Sequence, residues 1–459
     1  VTLQTGDLCN RLPERVMNQH LSLSTPVLAL PRRPGLRAGE DNRLEVLVRI
    51  QAPDAPAGHV AERPPQALAL VIDRSGSMAG RPLDEARRCA GFVLERLRPG
   101  DAVSLVQFDN RVQRLWPATP LGDGRAQRAV IAGIRPGGNT DLHGGWKEGA
   151  DTLSEVAGQG LKRVILLSDG QANEGLTDAG EIARQCAQRA AQGITTSTYG
   201  LGRSFNEELM VAMARAGGGN AYYGETAEDL MEPFEQELAL LGNLCLRELR
   251  VEAIVPEGAA VTCANGLPER DGAWCLPDLA WGAEAWLVLR IGIPAAALPP
   301  AGRMPTVLRV VVTARSPEGE PVRLEHTGLA LPVLGAAAWD ALAEDELVCR
   351  RLTELQAAES LARLRDAARR DDWAAVDALL DEAVRCFGGN AWVGAMLAAM
   401  QAIARDRDRE RLGKEAMYSS GRLRSRLAAK DEHDALAAGE ATEIPAYLRR
   451  KPAQGKADL

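Results

Sequence analysis

The chain has 459 residues, 46% of them hydrophobic and 25% charged, the composition of a globular protein with about two to four domains. Lys and Arg total 54 against 62 Asp and Glu, and the resulting net charge of −8 argues against non-specific nucleic-acid binding, which needs a basic excess. No apolar run approaches the ~18–20 residues of a membrane-spanning helix, and the eight cysteines are scattered without a CxxC pair, which excludes a zinc knuckle and leaves a disulfide framework sparse.

The first residues, VTLQTGDLCNRLPERV, carry no signal-peptide pattern, so a cytoplasmic, soluble protein is expected. Residues 1–20 form an N-terminal segment with no clear pattern. LSLSTPVLAL (21–30) and RLEVLVRIQ (43–51) alternate like strands around the Gly/Pro-bearing turn PRRPGLRAG, and 51–65 reads as a linker or long loop.

From residue 66 the pattern changes. QALALVID (66–73) is a nearly continuous apolar run that ends on an acidic residue, as central parallel strands do when helices cover both faces. Helical and strand patterns then alternate: helices over 81–97, 124–134, 142–156, 178–193, 205–218 and 227–244, and strands over 101–108, 112–116, 161–168, 194–202 and 220–224. The spacing predicts a doubly wound α/β domain of about six strands over 64–243.

Residues 244–335 read as short strands with Gly/Pro turns, a β-sandwich pattern that is thin by itself. The strands within 21–63 would complete it, which leaves the α/β domain either inserted between strands of one β-sandwich, with its two ends close together, or flanked by that sandwich. Residues 336–440 are helical, the run RDRDRER (405–411) reads as a solvated helix face, and 441–459 is an irregular tail. The fold class is thus multidomain: α/β, all-β, then a C-terminal helical bundle.

Three separate stretches carry the chemistry. Asp73, Ser75 and Ser77 lie in DRSGSM after the first buried strand, Thr140 lies in PGGNTD before a helix, and Asp169 lies in LLSDGQANEG after the strand expected beside the first. Each alone has an ordinary reading as a helix cap or turn. Together they sit at strand ends that share one face of a parallel sheet, where ligand sites form. Carboxylate and hydroxyl oxygens suit a hard cation, Mg²⁺ above all, with Mn²⁺ or Ca²⁺ as substitutes. Two carboxylates leave the ion with net positive character, able to accept an outside carboxylate.

DRSGSM, GGNTD and LLSDGQAN resemble the three segments of the metal-ion-dependent adhesion site of von Willebrand factor type A domains, over roughly residues 64–242. The resemblance implies direct ligation by Ser75 and Ser77, by Thr140 when a partner is bound, and water-mediated anchoring by Asp73 and Asp169. All five residue types are retained, so an intact site is expected. Met78, Asp141, His143 and Gln171 are expected at a partner-binding rim. The wider layout is similar to a bacterial, intracellular group that joins this domain to a β-sandwich and a helical tail.

His143 has no second histidine at ligand spacing, and there is neither a complete dinucleotide fingerprint nor a Walker lysine motif. The leading functional expectation is therefore a non-enzymatic, Mg²⁺-dependent protein-binding scaffold in which a partner Asp or Glu completes the metal shell. The alternative is an accessory subunit of a separate AAA-type ATPase machine of the MoxR or chelatase kind. A metal-dependent phosphatase or nuclease ranks lower, because no Lys or general base accompanies the three segments. The pattern neither requires nor excludes a homo-oligomer.

Overall fold

The computed structural model describes residues 26–55, 65–158, 160–169, 172–201, 206–224, 226–425 and 427–429. The chain begins with β1 (Val27–Pro31), β2 (Leu36–Arg37) and β3 (Asn42–Gln51). An α/β unit follows: β4 (Ala67–Asp73), a 3₁₀ turn (Gly76–Met78), α1 (Arg81–Arg96), β5 (Ala102–Phe108), β6 (Val112–Pro120), α2 (Arg125–Gly133), α3 (Leu142–Ser154), β7 (Lys162–Ser168), α4 (Ala179–Ala191), β8 (Ile194–Leu201), α5 (Glu207–Ala216), β9 (Gly218–Gly224) and α6 (Ala227–Gly242).

Its sheet runs β6-β5-β4-β7-β8-β9, and only the β5–β6 pair is antiparallel. Every residue of β4 is buried because both faces are covered. Leu68, Leu70 and Ile72 pack in one cluster with Ala86, Cys89 and Val93 of α1. Ala69 and Val71 point the other way, into a cluster with Trp146 and Ala150 of α3. Helix α3 lies close on the sheet because of its glycines: a Cβ at Gly145 would come 2.4 Å from Phe108 Cδ1, and one at Gly149 would come 2.4 Å from Val71 Cγ2. After β4 the chain moves to β5 on one side and later returns to β7 on the other. Strand order therefore reverses at β4, and the crevice beyond its carboxyl end is the expected ligand position for such sheets.

The β-rich region comprises β10 (Leu244–Ile254), β11 (Ala260–Cys263), β12 (Glu269–Arg270), β13 (Ala273–Cys275), β14 (Leu279–Ala280), β15 (Ala283–Ile293), β16 (Thr306–Arg315), β17 (Pro321–Ala330) and β18 (Val333–Leu334). β3 pairs with β15 over its whole length, so β1-β3-β15-β11 form one sheet. β12-β13-β10-β16-β17 form the other. Alternate residues Val46, Val48 and Ile50 of β3 and Leu287, Leu289 and Ile291 of β15 share a core with Leu249 and Val251 of β10 and Val310 and Val312 of β16.

The α/β unit is inserted between β3 and β10, and its two ends meet. The Gln66 side-chain amide donates to the Leu241 carbonyl at 2.5 Å, while the Gly282 and Trp281 amides donate to Pro53 at 2.8 Å and Asn243 at 2.9 Å. At the base of the sheet, the fully buried Arg163 guanidinium pairs with Glu237 of α6 and, at 3.0 Å, with Asp278 of the loop before β14. Ser197, Asn220 and Tyr222 also donate to Glu237. Burial alone would raise the Glu237 carboxyl; Arg163 and these donors outweigh that and hold it below its ordinary range.

The helical region contains α7 (Ala336–Asp340), α8 (Glu346–Arg369), α9 (Trp373–Phe387), α10 (Ala391–Arg405) and α11 (Arg409–Ser425), followed by the two-residue β19 (Ala428–Ala429) on the edge of β15. Helix α8 covers the outer face of the β3–β15 sheet: Leu347, Val348, Leu352 and Leu355 pack with Leu47, Trp286 and Val288. The run 405–411 faces solvent but is not one helix face: Arg405 ends α10, 406–408 turn, and 409–411 open α11. Arg407 has φ 54°, its guanidinium paired with Asp377 at 2.9 Å and lying 5.1 Å from the Trp373 ring centroid. Among the described residues no helix is long and apolar enough to cross a membrane.

Candidate metal centre

Asp73 is the last residue of β4 and has no exposed surface. Its Oδ1 accepts the Ser75 amide at 2.8 Å, and its Oδ2 accepts the Ser168 hydroxyl at the end of β7 at 2.5 Å. The carboxylate thus fixes the following loop and ties the two strands at the switch point. The hydroxyls of Ser75 and Ser77 lie 3.1 Å apart, with Ser75 buried and Ser77 exposed.

Backbone bonds then fasten the second stretch to the first. Gly76 N donates to Gly138 O at 2.8 Å, and Gly137 N donates to Arg74 O at 2.6 Å. The third stretch is fastened to the second: Thr140 N donates to Asn173 Oδ1 at 2.8 Å, and the amides of Asn173 and Glu174 both reach Thr140 O at 3.2 Å. Thr140 and Asp169 are both buried.

The electrostatics fit a cation. Burial, and next the nearby Asp169 charge, push the Asp73 carboxyl up from 3.8 to about 7, against the pull of hydrogen bonds from Ser168 and Ser75. Two buried acids held together favour either a shared proton or a positive ion. The donor set of two carboxylates and three hydroxyls is all oxygen, which matches Mg²⁺ rather than zinc. Among the described residues no group of three or more His, Cys, Asp or Glu side chains is arranged to hold a metal; this site has two such groups, and hydroxyls make up the rest.

The rim residues divide. Met78 is a correction: it is fully buried in the core with Leu83 and Ala86, because the 3₁₀ turn tucks it beneath α1. Asp141 caps α3 by accepting the Gly144 amide at 2.9 Å. His143 is half-buried and its Nε2 bonds Gln185 Oε1 at 2.8 Å. Gln171 lies outside the described residues.

Sequence reasoning missed Asp109, the residue after β5. It is buried, pairs with Arg74 at 2.7 Å, accepts the amides of Gly138 at 3.1 Å and Arg111 at 2.7 Å, and offers its carbonyl to Asp141 N at 2.8 Å. A Cβ at Gly137 would fall 1.8 Å from its Oδ2, so the double glycine of PGGNTD is what lets this loop close over Asp109. The available signal was an acidic residue directly after a buried parallel strand, the pattern shared by Asp73 and Asp169. Ser168 and Asn173 were likewise not singled out.

Residues 67–236 match the family model of the von Willebrand factor type A domain. The chain carries a von Willebrand factor type A domain, with further β-rich and helical regions. An uncharacterized protein of Synechocystis sp. is 27% identical over 184 residues, 40% of this chain and 43% of that protein, so the chain spans less than half of this curated relative. A solved von Willebrand factor type A protein from Catenulispora acidiphila superposes with TM-score 0.64 at 18% identity, covering 83% of this chain and 91% of that one. The ArnB paralog VWA2 from Sulfolobus acidocaldarius superposes with TM-score 0.58 at 15% identity, covering 86% and 98%. Coverage on that scale is larger than the α/β unit, so the likeness in fold extends beyond it. Domains of this type are characteristically non-catalytic modules for protein interaction, and they often use Mg²⁺; the fold found here is consistent with that role.

Proposed function

We propose that this von Willebrand A domain protein is a Mg²⁺-dependent protein-binding scaffold whose partner supplies an Asp or Glu carboxylate to the metal. Ser75, Ser77 and Thr140 would hold the ion directly, with Asp73 and Asp169 anchoring it through water. The bound cation would supply a Lewis-acidic site for a carboxylate. The observation that carries this reading is the Asp73 carboxylate, buried beside Asp169 at the switch point, with the three loops around it bonded to one another. A buried pair of acids in that position is costly unless a positive charge joins it. The reading does not depend on whether the acidic partner belongs to an AAA-type ATPase or to another protein. The domain division at 64–243 and 336–440 and a cytoplasmic location are part of the same proposal.

The test is direct. Calorimetry should show Mg²⁺ binding by the wild type and none by Asp73→Ala, while circular dichroism of the two agrees. Partner retention should be lost in EDTA and in Asp73→Ala or Ser75→Ala. Retention that is identical with and without metal would sink the reading.

A further inference from the structure

We infer that the partner presents an acidic cluster, not a solitary carboxylate, and that Arg111 and Arg135 read its extra charges from one flank of the metal centre. This rests on the proposed function above. The two arginines come from the two loops that frame the DRSGSM segment on the Asp109 side. Arg111 sits in the β5–β6 turn, its amide held by Asp109 Oδ1 at 2.7 Å. The carbonyl of Arg135 accepts from Arg74 Nη1 at 3.2 Å, two residues before Gly137 bonds back to Arg74. Both residues are exposed.

Their charges are uncompensated. The Arg135 guanidinium donates to the carbonyls of Ala132 at 2.7 Å and Ile134 at 2.9 Å, the end of α2, and pairs with no carboxylate among the described residues; nor does Arg111. The Arg74 charge, in contrast, is neutralised by Asp109 at 2.7 Å. The opposite flank is acidic. Glu174 is exposed and bonded through its amide to the Thr140 loop, and Asp178 caps α4 there.

Charge counting gives the partner's character. In formal charge Asp73 and Asp169 match a divalent cation, but set back behind water they leave its open face positive enough for one outside carboxylate. That carboxylate still brings formal negative charge in excess of the ion's, and any further acid nearby adds to it. Among the described residues Arg111 and Arg135 are positive groups of the loops on that flank with no carboxylate partner, while Glu174 repels acids on the far side. The face is thus polarised, and a docked segment should run with its additional acids toward Arg111 and Arg135.

The experiment uses the full chain with Mg²⁺ and two synthetic peptides: a Gly/Ser peptide with one Asp, and the same peptide with two added Glu residues on one side of that Asp. Exposed pairs of this kind are worth about 2–5-fold each, so the three-acid peptide should bind roughly 10-fold tighter at low salt, and the advantage should shrink as salt rises. Arg111→Glu should remove most of the advantage while leaving single-Asp binding nearly unchanged. Because Arg111 uses only its backbone in the loop, this variant keeps the fold; Arg135→Gln provides the second arm. Glu174→Lys should strengthen binding of the three-acid peptide. Equal, EDTA-sensitive binding of both peptides overturns this inference and leaves the metal reading standing. Binding of neither peptide, or binding indifferent to EDTA, overturns both.

Discussion

At the scale of single residues, the candidate site includes a buried carboxylate that is not among its proposed metal ligands. Asp109 holds Arg74, Gly138 and Arg111 in one cluster, and Arg74 precedes the serines of the DRSGSM loop. Replacing Asp109 by Ala leaves Arg74 half-buried without its partner. A loss of about 2–4 kcal/mol in stability is expected, together with weaker Mg²⁺ binding although no oxygen donor is removed. Thermal unfolding and calorimetry of Asp109→Ala, each with and without Mg²⁺, test both parts, and unchanged Mg²⁺ affinity would remove Asp109 from the positioning role. The five oxygen-bearing residues were legible in sequence because each lies at the end of a recognisable strand or at the head of a helix. Asp109 carries the same strand-end signal but was missed, because its partners include the Arg74 guanidinium and the Gly138 amide, which come from other loops. Met78 was misplaced for a different reason: the resemblance put it on the rim, but a three-residue turn is enough to point it inward.

At the scale of elements, regular strands and helices were read well, since hydrophobic periodicity reports burial directly. The six strands of the α/β sheet and their flanking helices fall within a few residues of expectation, although β6 runs to Pro120 rather than stopping near 116. Two-residue pairings such as β2 with β18, and β14 with β10, have no periodicity and were invisible. The start of the stretch read simply as helical over 336–440 holds two helices, α7 and α8, because Asp345 caps a new start by accepting the Val348 amide at 2.9 Å. The element contact with the clearest energetic consequence is β7 against α6 through Arg163 and Glu237. The Glu237 carboxyl is held below its ordinary 4.5. Its charged form is thus favoured by folding, so its contribution is present above about 4.5 and is lost as the pH falls through the depressed value. Wild type should therefore lose more stability than Glu237→Gln between about pH 5 and 3, while at pH 7 the variant should be weaker by about 3–5 kcal/mol. Chemical denaturation across that range distinguishes the two, and parallel pH profiles would refute the assignment. Asp278, whose carboxyl is raised by burial and in part by the Glu237 charge, shares Arg163, so the same comparison is repeated in an Asp278→Asn background.

At the scale of the whole molecule, the sandwich and the helices are not independent attachments. Helix α8 shields Leu47, Trp286 and Val288 on the outside of the β3–β15 sheet, and the Arg351 guanidinium lies 4.7 Å from the Trp286 ring centroid. Helix α11 reaches the α/β unit, where Tyr418 stacks on Tyr223 at 5.9 Å, and Arg369 of α8 bonds Glu207 at 2.8 Å. A chain ending at residue 335 should therefore expose an apolar sheet face. Increased binding of a hydrophobic dye and a fall in soluble yield are expected, while a cleanly monomeric, stable product of that length would show the helices to be dispensable. The sequence pattern pointed to separate sandwich and helical regions; it could not show that they share a core, because the residues that join them are far apart in the chain.

The neighbouring ends of the inserted unit have a mechanical consequence. β3 leads in from one sheet and β10 leads out to the other, so tension applied by a tethered ligand at the cation face is divided between both halves of the sandwich. Neither half can be peeled open alone without stretching the pair of crossings at Gln66 and Leu241. Under the proposed binding role, traction on that face would pass into β3 and β10, which are among the most deeply packed strands.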